Sequence, residues 1–193
     1  KSNKNKHSIE LVRSKNELSG GDILFLISCH EIIEKVDRSA YGSSLVLHAS
    51  NLPQGKGWSP HIWEIINGAK EITLTILEAE DNLDSGKILK KILIPVKNHT
   101  LWDEINNDLF RAEIDLINLA IESYNSIIPQ EQDTITETIY YRKRTPEDSR
   151  IDPSISIDDQ FNLIRVCDPK RFPAFFELYG HRYKIILEKL NDE

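Results

Sequence analysis

The sequence predicts an α/β fold with a mostly parallel sheet, followed by a small tail of one helix and a β-hairpin. Short unbroken apolar runs, Ile23 to Ile27 and Leu45 to His48, are typical of strands buried on both faces of a sheet. Helical patterns lie between and after these runs, and this alternation indicates layered strands and helices. Near the end, Ala174 to Tyr179 and Arg182 to Leu187 flank Gly180-His181 and predict an antiparallel hairpin.

The other core elements follow along the chain. Ser59-Pro60 suits the start of a helix, because serine is a good N-cap and proline fits the first helical position. Two further strands are predicted at Ile72 to Leu77 and Ile88 to Ile94. The longest helix is predicted to start at Thr100 and to end near Pro129, because apolar residues keep helical spacing along it.

The rest of the chain predicts less regular structure. Ile32 to Tyr41 mixes apolar and charged residues and suits a short helix. Gln130 to Pro153 is charged and contains proline, and we interpret it as a linker or an irregular wrap. Ser156 suits the N-cap of a short helix that follows. The predicted domains are a core over residues 1–128 and a linker with a hairpin subdomain over residues 129–193.

The composition argues against several classes of protein. The chain has 193 residues with 24 Lys and Arg against 31 Asp and Glu, so its formal net charge is −7. This acidic balance argues against non-specific binding of nucleic acid, which needs basic side chains on phosphates. No apolar run approaches the ~18 residues of a membrane span. The two cysteines, Cys29 and Cys167, form no disulfide framework and predict a cytoplasmic protein. The chain has no methionine, and we interpret it as a fragment or a trimmed protein.

Two polar residues lie at predicted strand ends. His48 precedes a loop rich in glycine and proline, and Asp84 lies in a polar loop after a later strand. Each alone suits a structural role, as a satisfied histidine or as a turn residue. Together they suit proton transfer, because a carboxylate on one ring nitrogen fixes the tautomer and leaves the other nitrogen to handle protons.

The region around these residues has a recognisable pattern. Leu47-His48-Ala49-Ser50-Asn51-Leu52-Pro53-Gln54-Gly55-Lys56-Gly57 resembles the His-Pro-Ser-Leu-Leu-Pro…Gly loop of folate-dependent formyltransferases. The helix, turn, strand and Asp84-Ser85-Gly86 loop that follow are similar to that family in order and spacing. Arg144-Thr145-Pro146-Glu147-Asp148 resembles a segment of sugar formyltransferases. Gly55-Lys56-Gly57-Trp58-Ser59-Pro60 with Glu78-Ala79 is similar to enzymes for nucleotide-linked 4-amino sugars, of the pseudaminic-acid pathway type.

The resemblance implies a Rossmann-like core, 10-formyltetrahydrofolate as formyl donor and a UDP-linked 4-amino-4,6-dideoxy sugar as acceptor. It implies that His48 handles protons with Asp84 as its partner. It places the pterin of the donor between two loops, with residues Cys29, His30, Ile32 and Ile33 on one side and Glu80, Asp81, Asn82 and Leu83 on the other. It places the sugar nucleotide near Lys56, Trp58 and Arg144. For Lys56 and Trp58, a solvated lysine and a packing tryptophan are the alternative interpretations.

One departure from the family pattern concerns the formyl oxygen. The family usually has Asn-x-His at the strand end, with the Asn amide polarising the formyl carbonyl, whereas this chain has Val46-Leu47-His48. Loss of one such donor typically costs ~10²–10³ in rate. Ser50, Ser28 and the His48 imidazolium are candidate substitutes, and the sequence does not choose among them. The family fold also has a strand–helix–strand unit before the segment at Asp22, for which this chain has too few residues.

Several alternatives stay open at this point. Formylation of methionyl-tRNA would require a larger, basic C-terminal domain, and formylation of glycinamide ribonucleotide does not fit the tail. A non-catalytic module with a degenerate formyltransferase site is the other class. No metal is expected, because Cys29 and His30 have no second ligand cluster at zinc spacing. The long helix and the final hairpin suit either a homodimer interface or packing on their own sheet, and no nucleic-acid or membrane partner is expected.

Overall fold

Strands and helices alternate along the first part of the chain. The computed structural model describes residues 7–123, 126–133 and 137–190. The strands in these residues are β1 (Gly21–Ile27), β2 (Tyr41–His48), β3 (Lys56–Gly57), β4 (Glu71–Glu78), β5 (Ile88–Pro95), β6 (Tyr140–Tyr141), β7 (Ala174–Leu178) and β8 (His181–Ile185). The α-helices are α1 (Lys35–Arg38), α2 (Pro60–Ile66), α3 (Trp102–Glu122) and α4 (Ile157–Arg165), with 3₁₀ turns at Lys15–Glu17 and Pro146–Ser149.

Four strands form the central sheet, in the order β1-β2-β4-β5. β1 and β2 are parallel, whereas β2 with β4 and β4 with β5 are antiparallel. The α/β class is confirmed, but the sheet of the described residues is mixed and not mostly parallel. The reason is that an unbroken apolar run reports burial on both faces of a strand, not the direction of its neighbour. In addition, the loop of residues 79–87 between β4 and β5 is shorter than the roughly dozen residues that a parallel crossover needs.

The main core lies between one face of the sheet and the helices. Ile72, Leu74 and Ile76 of β4 are buried in it, and Ile65 of α2 joins them. The face of α3 that packs here carries Ile105, Leu109, Ala112, Leu116 and Ala120, as the helical spacing predicts. Each fully buried Leu or Ile side chain contributes about 1.5–3 kcal/mol. This core fixes the position of β2, from which His48 emerges.

The opposite face of β4 is covered by the chain that follows β2, residues 49–55. Thr75 alternates with the core residues along β4 and donates from Oγ1 to the carbonyl oxygen of Ser50 at 2.6 Å. Lys91 of β5 donates from Nζ to the carbonyl oxygen of Leu52 at 2.6 Å, and Leu52 is fully buried. The loop after His48 is therefore anchored to the sheet.

The last part of the chain packs back on the core. β6 pairs in parallel with β3, with Tyr140 opposite Lys56. Arg165 of α4 is 2% exposed and donates to the carbonyl oxygens of Lys97 at 2.9 Å and Thr100 at 3.2 Å. Of the two interpretations of the stretch after residue 130, these contacts favour a wrap. The division into domains at residue 128 stays a prediction.

The predicted helices and the hairpin are present with altered ends. The N-cap Ser156 accepts from the backbone N–H of Asp159 at 3.1 Å, as expected for α4. α3 ends at Glu122, well before Pro129. The helix predicted at Ile32 to Tyr41 shrinks to the four residues of α1, because Tyr41 already belongs to β2. No helix in the described part of the chain is both long and apolar enough to cross a bilayer.

Candidate active site

A cleft of about 740 Å³ opens where the loops after β1, β2 and β4 meet. Val46 and His48 line it from β2, and Asp84 lines it from the loop between β4 and β5. α2 contributes His61 near its start, and α3 contributes Glu113. Two residues that the sequence singles out from distant positions thus meet in one cavity.

His48 is buried at the end of β2, with 8% of its surface exposed. Its Nε2 lies 2.9 Å from the carbonyl oxygen of Gly55. Because a carbonyl oxygen only accepts, Nε2 carries the proton and donates it. Its Nδ1 lies 3.4 Å from Oδ1 of Asp84, longer than the about 2.7–2.9 Å of a charge-assisted hydrogen bond.

Asp84 is held in place by backbone groups. Its Oδ2 accepts from the backbone N–H of Gly57 at 3.0 Å, which turns Oδ1 toward His48. Its φ of 54° lies in the left-handed region that non-glycine residues rarely adopt. Gln132 donates from Nε2 to the carbonyl oxygens of Asp84 at 3.0 Å and Gly86 at 2.8 Å. Contacts from Gly57 and Gln132, both outside the loop of residues 79–87, therefore stabilise a strained residue, and such strained residues cluster at functional sites.

These contacts assign the ring nitrogens differently from the sequence expectation. We expected the carboxylate to fix the tautomer and the other nitrogen to handle protons. In the structure the Gly55 carbonyl fixes the tautomer, and the carboxylate of Asp84 lies beside Nδ1, the nitrogen with the lone pair in the neutral ring. A proton that arrives at Nδ1 creates an imidazolium next to a carboxylate. The arrangement can therefore accept one proton and stabilise the resulting charge.

The two cleft walls suit a flat, partly apolar ligand such as a pterin. On the first wall, among the described residues, the backbone of residues 29–33 forms no hydrogen bond to other backbone groups, so its N–H and C=O groups are free to bind a heterocycle. Ile32 and Val36 on this side are 66% and 71% exposed, and Leu83 on the opposite wall is 56% exposed. Burial raises the pKa of the Cys29 thiol above its usual value, which favours the neutral form. These features fit the donor that the resemblance implies.

Aromatic and basic side chains stack at the cleft. The rings of His30 and Trp58 stack with centroids 6.3 Å apart. Nζ of Lys143 lies 4.7 Å from the centre of the Trp58 ring, a favourable cation–π distance. Both rings line the cleft. The structure therefore presents a flat aromatic surface with one cation beside it.

Most of the predicted site residues line the cleft. They are Cys29, His30, Ile32, Ile33, His48, Trp58, Glu80, Asp81, Leu83 and Asp84. Asp81 also pairs with the buried guanidinium of Arg38 on α1, so this carboxylate braces the two walls against each other.

Four predicted residues do not line the cleft. Ser50 is fully buried under the loop, so its hydroxyl does not reach the cleft. The structure therefore gives no support to the expectation that Ser50 stabilises the oxyanion. Arg144 donates to the carbonyl oxygen of Asp148 at 3.0 Å and so holds the 3₁₀ turn of the tail. Lys56 lies in β3 and contributes its backbone to the pairing with β6. Asn82 is exposed, and its carbonyl oxygen accepts from Ser85 Oγ at 2.7 Å inside the loop.

Two cleft residues were missed by the sequence reasoning. Burial, and secondly the charge of His48, lower the pKa of His61 to about 4. Burial raises the pKa of Glu113 above its usual range. Glu113 had a usable signal, because it falls on the apolar face of α3 between Leu109 and Leu116, where a carboxylate is out of place. His61 had only its place in the first turn after the His48 loop. In the described residues, no group of three or more His, Cys, Asp or Glu side chains is arranged to hold a metal.

Comparison with known proteins places this geometry in a family. Residues 2–121 match the family model described as Formyl transferase. The chain is 30% identical over 193 residues to the methionyl-tRNA formyltransferase of Clostridium beijerinckii, with 95% of this chain and 61% of that protein covered. It is 28% identical over 174 residues to the bifunctional polymyxin resistance protein ArnA of Wigglesworthia glossinidia brevipalpis, covering 89% of this chain and 27% of that protein. The chain thus spans about half the length of the curated relatives it matches.

Solved structures share the fold. A 4-N formyltransferase from Francisella tularensis matches with a TM-score of 0.73 at 17% identity, over 89% of this chain and 72% of that one. HypX from Aquifex aeolicus, in complex with tetrahydrofolic acid, matches with a TM-score of 0.67 at 19% identity, over 83% of this chain and 28% of that one. The match over residues 2–121 shows that the chain belongs to the formyl transferase family, whose members are enzymes that transfer formyl groups.

Proposed function

We propose that this protein is an N-formyltransferase that moves the formyl group of 10-formyltetrahydrofolate to a primary amine. Members of the family use formyl-tetrahydrofolate as donor. The observation that carries the proposal is the position of His48 in the cleft, with Nε2–H on the Gly55 carbonyl and Nδ1 beside Asp84.

The reaction requires one proton to change place. The acceptor amine forms a bond to the formyl carbon, the bond from that carbon to the folate nitrogen breaks, and the released nitrogen gains the proton that the amine loses. His48 takes this proton from the amine at Nδ1, because its other ring nitrogen is hydrogen-bonded to Gly55. It then delivers the proton to the released folate nitrogen. Asp84 stabilises the imidazolium while it lasts. General acid–base catalysis of this kind typically contributes about 10²–10⁴ in rate.

For the acceptor we propose the amine of a nucleotide-linked 4-amino sugar, of the UDP-4-amino-4,6-dideoxy type. An amino sugar is an ammonium ion in neutral water, and the cleft attracts this cation because carboxylates outnumber its basic side chains, Lys35 and Arg38. These carboxylates belong to Glu31, Glu34, Glu78, Glu80, Asp81, Asp84 and Glu113. The ammonium ion first releases one proton to solvent, and the neutral amine that results then attacks the formyl carbon. Trp58, with Lys143 over its ring, suits a nucleotide base and its phosphates. The likeness in fold to the Francisella tularensis 4-N formyltransferase supports this class.

Methionyl-tRNA is the second candidate acceptor, favoured by the 30% identity to the Clostridium beijerinckii enzyme. The net charge of the chain argues against methionyl-tRNA as the acceptor. Binding of tRNA draws its affinity from basic side chains on many phosphates, and these 193 residues carry a formal net charge of −7, which favours the smaller anion of a sugar nucleotide. We therefore rank the sugar nucleotide first, and the experiment below tests methionyl-tRNA beside it.

The test is mass spectrometry of products formed with 10-formyltetrahydrofolate. The acceptors are a panel of UDP- and dTDP-linked amino sugars and, separately, methionyl-tRNA. We expect an N-formyl sugar product and a rate at least about 10²-fold lower for His48→Ala. His181→Ala, at an exposed position on the hairpin, is the matched control and should keep the wild-type rate. Turnover only with the tRNA overturns the sugar assignment, and no turnover with any acceptor overturns catalysis.

A non-catalytic module would behave differently in a second assay. A folate analogue should raise the melting temperature of the wild-type protein through binding to the folded state alone. A clear shift in melting temperature, combined with no product from any acceptor, would favour a folate-binding protein without transfer activity.

A further inference from the structure

The assignment of His48 leaves the formyl oxygen without a partner. Negative charge develops on this oxygen as the amine attacks, and a preorganised donor is worth most where water is excluded. Nε2–H of His48 is committed to Gly55, and Nδ1 takes the proton from the amine. Val46 is apolar and the hydroxyl of Ser50 is sealed away from the cleft.

Two other side-chain donors in the cleft, those of Arg38 and Ser28, are occupied or exposed. The guanidinium of Arg38 is paired with Asp81. Ser28 follows β1 on the exposed side of the cleft, where water competes for its hydroxyl. A donor for the formyl oxygen should instead be buried, close to His48 and without a partner of its own.

His61 meets the last two conditions and is itself partly buried. It lines the same cleft, and its Nδ1 is shielded from solvent without a hydrogen-bond partner. No residue in the described ranges hydrogen-bonds its other ring nitrogen, Nε2, either. It lies close enough to His48 for the charge of that residue to lower its pKa. A shielded ring nitrogen without a partner is costly for the fold and invites a functional explanation.

The ring also has the right protonation state. With its pKa lowered to about 4, His61 is uncharged at neutral pH and carries one N–H and one lone pair. A neutral imidazole can polarise a carbonyl oxygen through its N–H without giving the proton away. The start of α2, fixed by Pro60 at its first position, holds this ring beside the cleft.

We propose that the ring N–H of His61 donates a hydrogen bond to the carbonyl oxygen of the formyl group and stabilises the charge that develops there. This inference rests on the proposed formyl transfer. His61 gains and loses no proton in the reaction. The bond from the formyl carbon to the folate nitrogen breaks, the bond to the amine forms, and the proton travels through His48 as described above.

Two variants separate this role from a purely structural one. His61→Phe keeps a planar ring but removes the donor, and His61→Gln keeps an N–H near the position of Nε2. We expect kcat to fall about 10²–10³-fold in His61→Phe, with KM for the formyl donor within about 3-fold of wild type. His61→Gln should recover at least about ten-fold of the lost kcat. Equal kcat in wild type and His61→Phe, with both folded by circular dichroism, overturns the proposal.

A second measurement needs no turnover. Difference infrared spectroscopy of bound 5-formyltetrahydrofolate, with a ¹³C-labelled formyl group, reports the polarisation of its carbonyl directly. We expect the carbonyl band at lower wavenumber in wild type than in His61→Phe, and an identical band position overturns the role of His61. If wild type binds the analogue with a polarised carbonyl but makes no product, the proposed transfer fails while the hydrogen bond stands. If wild type does not bind the analogue, both proposals fall.

Discussion

The partly buried imidazole of His61 predicts a specific acid sensitivity of the fold. Its pKa lies at about 4 in the folded protein, against 6.5 for the free side chain. Below about pH 6.5 His61 therefore binds a proton in the unfolded chain, whereas in the folded protein it binds one only when the pH falls to about 4. The free energy of unfolding is unaffected by His61 above this window and falls as the pH drops through it.

The size of the effect follows from the two pKa values. Between about pH 7.5 and about pH 5, this single linkage lowers the free energy of unfolding by about 2 kcal/mol, rising to about 3 kcal/mol at pH 4. Replacement of His61 by Gln removes the titrating group, so the variant should lose about 2 kcal/mol less than wild type over the same interval. Groups remote from His61 titrate equally in both proteins and cancel in the comparison.

The assay is urea unfolding at both pH values, analysed with a linear dependence of free energy on urea. His181→Gln removes an exposed histidine instead and controls for the loss of a histidine as such. Wild type and His181→Gln should share one pH dependence, with His61→Gln shallower. If all three proteins show the same pH dependence, His61 titrates alike in the folded and unfolded chain, and the argument for a neutral, desolvated ring fails.

Three further predictions concern the scaffold of the site. Gly86→Ala should lower the free energy of unfolding by about 2–4 kcal/mol in urea, because a Cβ there would lie 1.9 Å from the carbonyl oxygen of Glu78; Gly21→Ala, whose Cβ meets only ordinary contacts, should change it by less than about 1 kcal/mol. Arg165→Met should cost about 1–3 kcal/mol in the same assay, because it removes the guanidinium that donates to the buried carbonyl of Thr100 and one of the donors to the carbonyl of Lys97; a loss below about 0.5 kcal/mol would contradict this. Asp84→Asn should keep the fold but lower kcat about 10²–10⁴-fold in the formyl-transfer assay, and an unchanged kcat would show that the carboxylate charge is not needed.

Much of the fold could be predicted from local patterns. The apolar stripe of α3, the cap at Ser156 and the turn at Gly180 each depend on neighbours within a few residues, and each is present. The antiparallel direction of β4 relative to β2 could not be predicted, because an apolar run indicates that a strand is buried but not how its neighbour runs. The short pairing of β3 with β6 could not be predicted either, since it joins residues 56–57 to residues 140–141, which are 84 positions apart in the sequence.

The candidate site, like the fold, could be predicted from the sequence only in part. The motif around His48 and Asp84 predicted that the two side chains meet, and they do, at 3.4 Å. Ser50 looked available in the sequence, yet the chain folds it under the loop, where its carbonyl accepts from Thr75. His61 gave no signal beyond its place after the His48 loop, because nothing local distinguishes a ring that faces the cleft from one that faces solvent in the first turn of a helix.

The geometry around His48 depends largely on backbone groups rather than on side chains. The Gly55 carbonyl fixes the tautomer and the Gly57 N–H aims the carboxylate of Asp84. Both glycines have positive φ, and a Cβ on Gly57 would lie 2.3 Å from the carbonyl oxygen of Tyr141. The loop that carries them is in turn braced by the tail, because Tyr141 accepts from the N–H of Trp58 at 2.9 Å. Residues 139–141 thus stabilise the loop that carries Gly55 and Gly57 from outside, so the proposed chemistry depends on contacts between segments far apart in the sequence.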